Sequence, residues 1–432
     1  MSRPMKETNI PWIGQVPVPW GVVKLKKVAK IITGNTPSKS TDGYYSDSGI
    51  EWLKPENLMG TKGVNESKEK LNTEGADLAR IAPPYTTLIC CIGNVGKFGY
   101  ITKPAAFNQQ INGIIFSPDN IYWRFGMYYM SSQKQQQQFY QNGNVMKILN
   151  SENQKKVIVT VPPLEEQQKI AAFLDEKTAQ IDSIIENTKQ SIVELKKYKQ
   201  ALITETVTKG LNPNVKMKDS GIEWFGMIPE HWELSKLGKI YDVILGKMLS
   251  SEQKAVDWTF EQYICAANVH FEGVDTASLK SMWFSPNEKA NLEVKFGDLL
   301  IVEGGAGAGG SAIYSSSEKN IFVQNSINIV RSRNEKGNTN YAYYLMHSLV
   351  KNGYIDFISS KSTFAHFTKE KVKAVPYPVI PIREQKEIIT FLDEKCIHID
   401  RLIADKEKLI REFEDYKKAL IYEYVTGKKE VE

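Results

Sequence analysis

The chain is short of the residues that chemistry most often needs. Its 432 residues include four cysteines and five histidines. Cys90, Cys91, Cys265 and Cys396 show neither CxxC spacing nor a disulfide framework, so a reducing, cytoplasmic location is expected. His231, His270, His347, His366 and His398 are scattered, with no paired spacing for zinc and no nucleophile alongside. Met1 to Gly14 lacks an apolar signal core, and no apolar run approaches a membrane span. Neither sign of charge dominates: 55 Lys and Arg against 50 Asp and Glu leave +5. That mild basicity permits nucleic-acid binding without demanding it. Apolar content of 41% and charged content of 24% are ordinary for a globular protein, and the length allows two to four domains.

Known catalytic motifs fail in detail. Gly93-Asn94-Val95-Gly96-Lys97-Phe98-Gly99 has Phe98 where a P-loop needs Ser or Thr, and Cys91 where it needs the leading Gly. Ala82-Pro83-Pro84-Tyr85 is similar to the Asn/Asp-Pro-Pro-Tyr motif of amino-methyltransferases, but Ala82 offers no polar acceptor for a target amine. A carboxylate–lysine cluster for metal-dependent nuclease chemistry does not stand out. The sequence shows no catalytic centre.

What is present is a duplication. Pro163, Glu166-Gln167, Ile170, Phe173, Leu174-Asp175-Glu176-Lys177, Ile181, Asp182, Tyr198-Lys199 and Ala201-Leu202-Ile203 recur 218 residues on (381 − 163). Their copies are Pro381, Glu384-Gln385, Ile388, Phe391, Leu392-Asp393-Glu394-Lys395, Ile399, Asp400, Tyr416-Lys417 and Ala419-Leu420-Ile421. Each copy lacks internal Gly and Pro and places apolar residues seven apart, as in Leu174, Ile181, Leu195 and Leu202. Thr188 and Lys406 interrupt the seam. Pro163 and Pro381 mark the starts, and Gly210 and Gly427 lie just past the ends. The spacing predicts two long helices, each roughly 60 Å at about 1.5 Å per residue, able to pair with each other.

The repeat extends upstream. Lys6, Ile10, Trp12, Gly14, Pro17, Trp20, Lys24 and Leu25 match Lys218, Ile222, Trp224, Gly226, Pro229, Trp232, Lys236 and Leu237. Between leading segment and helix lie two stretches that resemble each other only loosely. Trp52-Leu53, Thr87 to Ile92 and Ile111 to Phe116 read as strands, as do Tyr263-Ile264, Leu299 to Val302 and Ile327 to Val330. Helical stretches follow around Trp123 to Tyr140 and Tyr341 to Ile358; Gln135–Gln138 reads as an exposed helical face. The expected fold is α+β: two mixed domains separated by two long helices, with an internal repeat. The expected divisions are 1–161, 162–212, 213–379 and 380–432.

Two Gly-rich turns, at Gly93 and at Gly304-Gly305-Ala306-Gly307-Ala308-Gly309-Gly310-Ser311, each follow an expected strand. Missing side chains let backbone N–H groups approach a phosphate. Asn108-Gln109-Gln110-Ile111-Asn112 and Gln324-Asn325-Ser326-Ile327-Asn328 follow. Amides can make paired contacts to adenine in the major groove, or cap turns.

The chain as a whole resembles the specificity subunits of type I restriction–modification systems. The resemblance rests on Asp219-Ser220-Gly221-Ile222-Glu223-Trp224 through Pro229-Glu230-His231-Trp232, on Pro162-Pro163-Leu164-Glu165-Glu166-Gln167 with Phe173-Leu174-Asp175, and on Thr208-Lys209-Gly210-Leu211. It implies two target-recognition domains held apart by the two long helices in an antiparallel coiled coil with a pseudo-twofold repeat, each domain reading one half of a split, asymmetric DNA target. It implies a subunit without catalysis or cofactor of its own. S-adenosylmethionine, ATP and magnesium belong to the partners, namely two modification subunits and the restriction subunits. DNA contacts are expected from Lys54, Asn57, Asn94, Lys97, Asn108, Gln109 and Lys147, and from Asn268, Ser311, Gln324, Asn325, Arg331 and His366. Partner docking is expected at exposed helix positions: Glu166, Gln167, Asp175 and Tyr198, with copies Glu384, Gln385, Asp393 and Tyr416. The rivals are a pure scaffold holding two protein-binding domains and a self-sufficient nuclease or methyltransferase.

Overall fold

The computed structural model describes residues 3–38, 43–64, 66–143, 147–305, 307–333, 337–358 and 366–431. The chain forms two compact units: Met1–Lys189 with Glu407–Glu432, and Gln190–Lys406. The two expected helices are Leu164–Lys209 and Ile382–Val425, and each contributes one part to each unit. Gly210 and Gly427 take φ of 74° and 73°, the left-handed stop that glycine adopts without a Cβ clash.

Within the first unit the two helical parts pack in opposite directions. Ile170, Leu174, Ile181 and Ile185 share one core with Leu420, Ile421 and Val425. The rings of Phe173 and Tyr424 lie 4.5 Å apart, and further along Lys417 Nζ meets Asp182 at 2.7 Å. Within the second unit Ile203 and Val207 share a core with Ile388, Leu392 and Cys396. There Lys199 Nζ meets Asp400 at 2.7 Å. Asp182–Lys417 and Asp400–Lys199 are one ion pair written twice, because the repeat offset carries Asp182 to Asp400 and Lys199 to Lys417. A seam shared by two copies of one sequence requires this self-complementary pairing. Thr188, the polar break, satisfies its own hydroxyl on the Ile184 carbonyl at 2.7 Å.

The two variable stretches are far more alike in fold than in sequence. In the first unit, strands run in the order Ala29–Thr33, Ile111–Phe116, Thr87–Cys90, Phe98–Ile101 and Gly63–Val64. In the second the order is Tyr241–Leu245, Ile327–Ser332, Leu299–Val302 and Ser311–Ile313. The central strands, Thr-Leu-Ile-Cys and Leu-Leu-Ile-Val, are buried along their whole length, as strands covered on both faces are. A second sheet in each unit places a parallel pair together: Ile50–Leu53 with Ala105–Phe107, and Thr259–Ile264 with Ile321–Val323. The expected helical stretches appear as Trp123–Ser132 with Lys134–Phe139, and Thr339–Lys351 with Tyr354–Ile358. Of the glutamine run expected to be exposed, Gln135 and Gln138 are, whereas Gln136 and Gln137 are fully buried.

Each variable domain is then tied to its helix. The strand just before the helix returns to the leading segment: Ile158–Val161 pairs with Gly21–Lys24, and Pro376–Val379 with Glu233–Lys236. The fully buried indoles of Trp20 and Trp232 donate to Glu166 (2.9 Å) and Glu384 (3.1 Å).

Candidate nucleic-acid interface

In the first unit, one end of the two sheets gathers five loops. Gly34 continues the strand Ala29–Thr33 and bonds the Ile111 carbonyl; Asn35 N–H donates to Phe107 O at 3.0 Å. The turn at Lys54 is closed by Asn57, whose Oδ1 accepts from Lys54 N–H at 2.8 Å. Lys97 sends its ammonium to the Pro55 carbonyl at 2.6 Å, tying the Gly-rich turn to that same turn. Cys91 N–H donates to Gln110 O, Leu149 N–H to Cys91 O, and Gly93 N–H to Lys147 O. Lys54, Asn57, Asn94, Lys97, Asn108, Gln109 and Lys147 therefore all fall in one loop cluster.

Their exposure separates them. Asn94, Gln109 and Lys147 are exposed. Lys54 lies over the Trp52 ring and pairs with Glu69 at 2.6 Å. Asn108 is a correction: it is buried, and its amide donates to Gln110 Oε1 at 3.0 Å, so it shapes the turn that presents Gln109. The thiols beneath the Gly-rich turn are inert. Burial pushes Cys90 up and Cys91 up to about 12, far from a reactive thiolate.

The second unit repeats the arrangement with other residues. Gly246 N–H donates to Ile327 O and Lys247 N–H to Val323 O, both at 3.0 Å, as Gly34 and Asn35 do in the first. Gln324 N–H donates to Ile264 O at 3.0 Å, Asn325 N–H to Lys247 O at 2.8 Å, and Ser326 Oγ accepts from Ala266 N–H at 3.1 Å. Gly304 bridges to His366, which brings that exposed histidine to the same end. Glu303 sits beside Asn328 Nδ2 at 3.3 Å, and burial holds its carboxyl above the ordinary range. Ala306 of the Gly-rich turn lies outside the described residues.

Three expected readers of this unit are corrected. Asn268 is buried and closes its own turn, accepting from Cys265 N–H at 3.0 Å, as Asn57 does in the first unit. Ser311 is fully buried in a strand beside Ile301, and its hydroxyl has no partner among the described residues. Arg331 lies at the far end of its strand, about 13 Å from Ile327 at about 3.3 Å per residue. There it grips Asp298 with two bonds of 2.7 and 2.6 Å and the Glu293 carbonyl at 2.9 Å. Gln324, Asn325 and His366 remain at the loop end.

A family model of the type I restriction modification DNA specificity domain matches residues 17–197 and again 229–411. The chain belongs to the type I restriction–modification specificity subunits. The MjaVIII specificity subunit of Methanocaldococcus jannaschii is 23% identical over 432 residues, covering 96% of this chain and 94% of that one. The putative MjaX specificity subunit of the same organism is 26% identical over 275 residues, covering 61% of this chain and 57% of its own length. In fold, the chain is similar to one solved in work on complex assembly and conformational transition of the type I R-M system. The TM-score is 0.72 at 16% identity, covering 95% of this chain and 98% of that one. The HsdS subunit from Thermoanaerobacter tengcongensis gives 0.55 at 14% identity, covering 96% and 98%.

As a specificity subunit the chain is a non-catalytic, DNA-binding component. Among the described residues no cluster of His, Cys, Asp or Glu could hold a metal ion, and no helix is long and apolar enough to cross a membrane.

The expected docking residues of this specificity subunit divide in two. Gln167 and Gln385 are fully buried, not exposed. Gln167 accepts from Tyr122 N–H (2.8 Å) and donates to the Asn120 (2.9 Å) and Pro162 (2.8 Å) carbonyls. Gln385 accepts from Asn338 N–H at 2.9 Å and donates to Ile380 O at 3.0 Å. Asp175 receives Arg124 at 2.6 Å and Tyr128 at 2.7 Å; Asp393 receives Tyr344 at 2.6 Å. With the Trp bonds to Glu166 and Glu384, these repeated residues join each recognition fold to its own helix. Tyr198 and Tyr416 are left more than half exposed on the helical surface, at 57% and 54%, and Asp393 is exposed as well.

Sequence reasoning passed over Thr36, whose hydroxyl donates to exposed Gln109, and Met248 and Leu249, at the head of the second cluster. The signal was present: Gly34-Asn35-Thr36 and Gly246-Lys247-Met248 follow matched strands at the upstream repeat offset.

Proposed function

We propose that this specificity subunit reads an asymmetric, two-part DNA target, with residues 1–161 and 213–379 as target-recognition domains and residues 162–212 and 380–432 as helical spacers. The observation that carries the reading is one loop platform built twice with different side chains. Thr36, Asn108 and Gln109 stand where the other unit has Met248, Gln324 and Asn325, and exposed Asn94 and Lys147 join the first cluster as His366 joins the second. Equal scaffolds with unequal tips suit two unlike half-sites. Lysines would position the phosphate backbone, and amides would read base edges. Two long helices that repeat one ion pair suit a stiff spacer, and half-site spacing mirrors protein geometry in other DNA readers.

The partners are double-stranded DNA, two modification subunits that methylate adenine with S-adenosylmethionine, and ATP-dependent restriction subunits, acting in the cytoplasm. Methylation at N6 requires the partner to flip the base out of the duplex. Tyr198 and Tyr416, equivalent and exposed, are the candidate docking positions for two copies of one partner, with Asp393 the other exposed candidate.

A gel shift of the chain with and without its modification subunit, on random and genomic duplex at two salt concentrations, tests this. Binding that weakens steeply with salt supports it, since each phosphate contact releases counterions. Salt-independent or absent DNA affinity would favour the scaffold. Methyl transfer by the isolated chain would overturn the non-catalytic assignment.

A further inference from the structure

We propose that Met248 and Leu249 are apolar base readers that close over the C5-methyl group of a pyrimidine, thymine in unmodified DNA. The inference rests on the DNA-reading proposal and adds the chemistry read at one position. The two side chains are 74% and 61% exposed, although they are adjacent, large and apolar. They are not on a loose surface. Lys247, immediately before them, donates its N–H to Val323 O at 3.0 Å and accepts Asn325 N–H at 2.8 Å. The pair is thus fixed one residue from the strand end that presents Gln324 and Asn325. Lys247 itself is turned away, its ammonium 2.6 Å from Glu288 and 3.9 Å over the Trp258 ring.

The first unit shows what this position does when it is polar. Thr36 is the repeat equivalent of Met248, and its hydroxyl donates to Gln109 in the amide turn. There the position orients a hydrogen-bonding reader. In the second unit an unbranched thioether and a leucine replace it, and neither can orient an amide. Exposed apolar surface beside polar readers gains stability only when an apolar group covers it. On the major-groove edge of DNA that group is the thymine methyl, and a flexible thioether adapts to it readily.

The test uses the complex with the modification subunit and the duplex target identified by mapping methylated adenines. Each thymine in the half read by residues 213–379 is replaced singly by deoxyuridine, which removes only the methyl. At one position the wild-type complex should lose about fourfold in affinity, the weight of one buried methyl group. Met248→Ser or Leu249→Ser should abolish that loss while leaving Tm unchanged, because both side chains are solvent-exposed. Thr36→Ala should leave it intact. Indifference to every deoxyuridine, a half-site without thymine, or a penalty that survives both serine variants overturns the inference. A complex that binds random duplex as tightly as the mapped target overturns the underlying DNA reading as well.

Discussion

Gly246→Ala should damage one half of the recognition and spare the other. A Cβ built on Gly246 would stand 2.2 Å from the Gln324 carbonyl oxygen, 2.5 Å from its carbon and 2.6 Å from Val323 O. Backbone cannot swing aside as a side chain does, so strand end and amide turn must separate by about 1 Å, a strain of about 1–3 kcal/mol. That movement displaces Gln324, and loss of one paired base contact costs about 1–3 kcal/mol, or roughly 5-fold to 150-fold in affinity. Gly34→Ala is the mirror experiment, with its Cβ 2.1 Å from Phe107 O and 2.4 Å from Asn108 O. Gly307→Ala is the control, since its nearest neighbour would be Val302 Cγ1 at 3.9 Å. The assay is competition binding of the assembled complex against duplexes scrambled in one half or the other. Gly246→Ala should lose discrimination in the half read by residues 213–379, and Gly34→Ala in its companion. Wild-type Tm and wild-type discrimination in Gly246→Ala would refute the argument that this close approach sets the reading loop.

The other predictions concern what holds the readers in place. Gln385→Leu removes the buried partner of Asn338 N–H and Ile380 O, so it should cost about 2–3 kcal/mol in urea denaturation; unchanged stability would mean the joint is dispensable. Arg331→Ala strands the nearly fully buried Asp298 carboxylate and should cost about 3 kcal/mol, with partial rescue by adding Asp298→Asn. Base preference of the folded fraction should not change, and a selective loss at one base pair would restore Arg331 as a reader. His347 is pushed down to about 4, first by burial and then by Lys351 and Lys199. The unfolded chain therefore binds a proton that the folded chain refuses, and stability falls as pH drops from about 6.5 toward 4. His347→Phe should flatten that part of the stability–pH curve, and an unaltered slope would contradict it.

The long helices were legible because Gly and Pro are absent inside them and present at their ends. The strands were legible from short apolar runs between turns. That both variable stretches share one sheet order was not, because strand pairing is long-range and the duplicated residues lie outside the sheets of those stretches. The burial of Gln167 could have been read: it stands seven residues before Leu174, as Gln385 does before Leu392, and that step returns to the same helical face. Its polarity suggested exposure, whereas three bonds to backbone groups make burial affordable in energy. Arg331 was misplaced for a different reason. Its type suits DNA, but the direction of its strand carries it away from the loops, and Asp298, which claims it, lies 33 residues earlier.

The most direct test of two unlike readers on one chain is long-read mapping of methylated adenine in cells that carry the modification subunit with and without this protein. The account predicts methylation that depends on the chain and falls in a split site whose two halves differ and keep a constant gap. A contiguous or palindromic site, or a methylation pattern unchanged by deleting the chain, would contradict it.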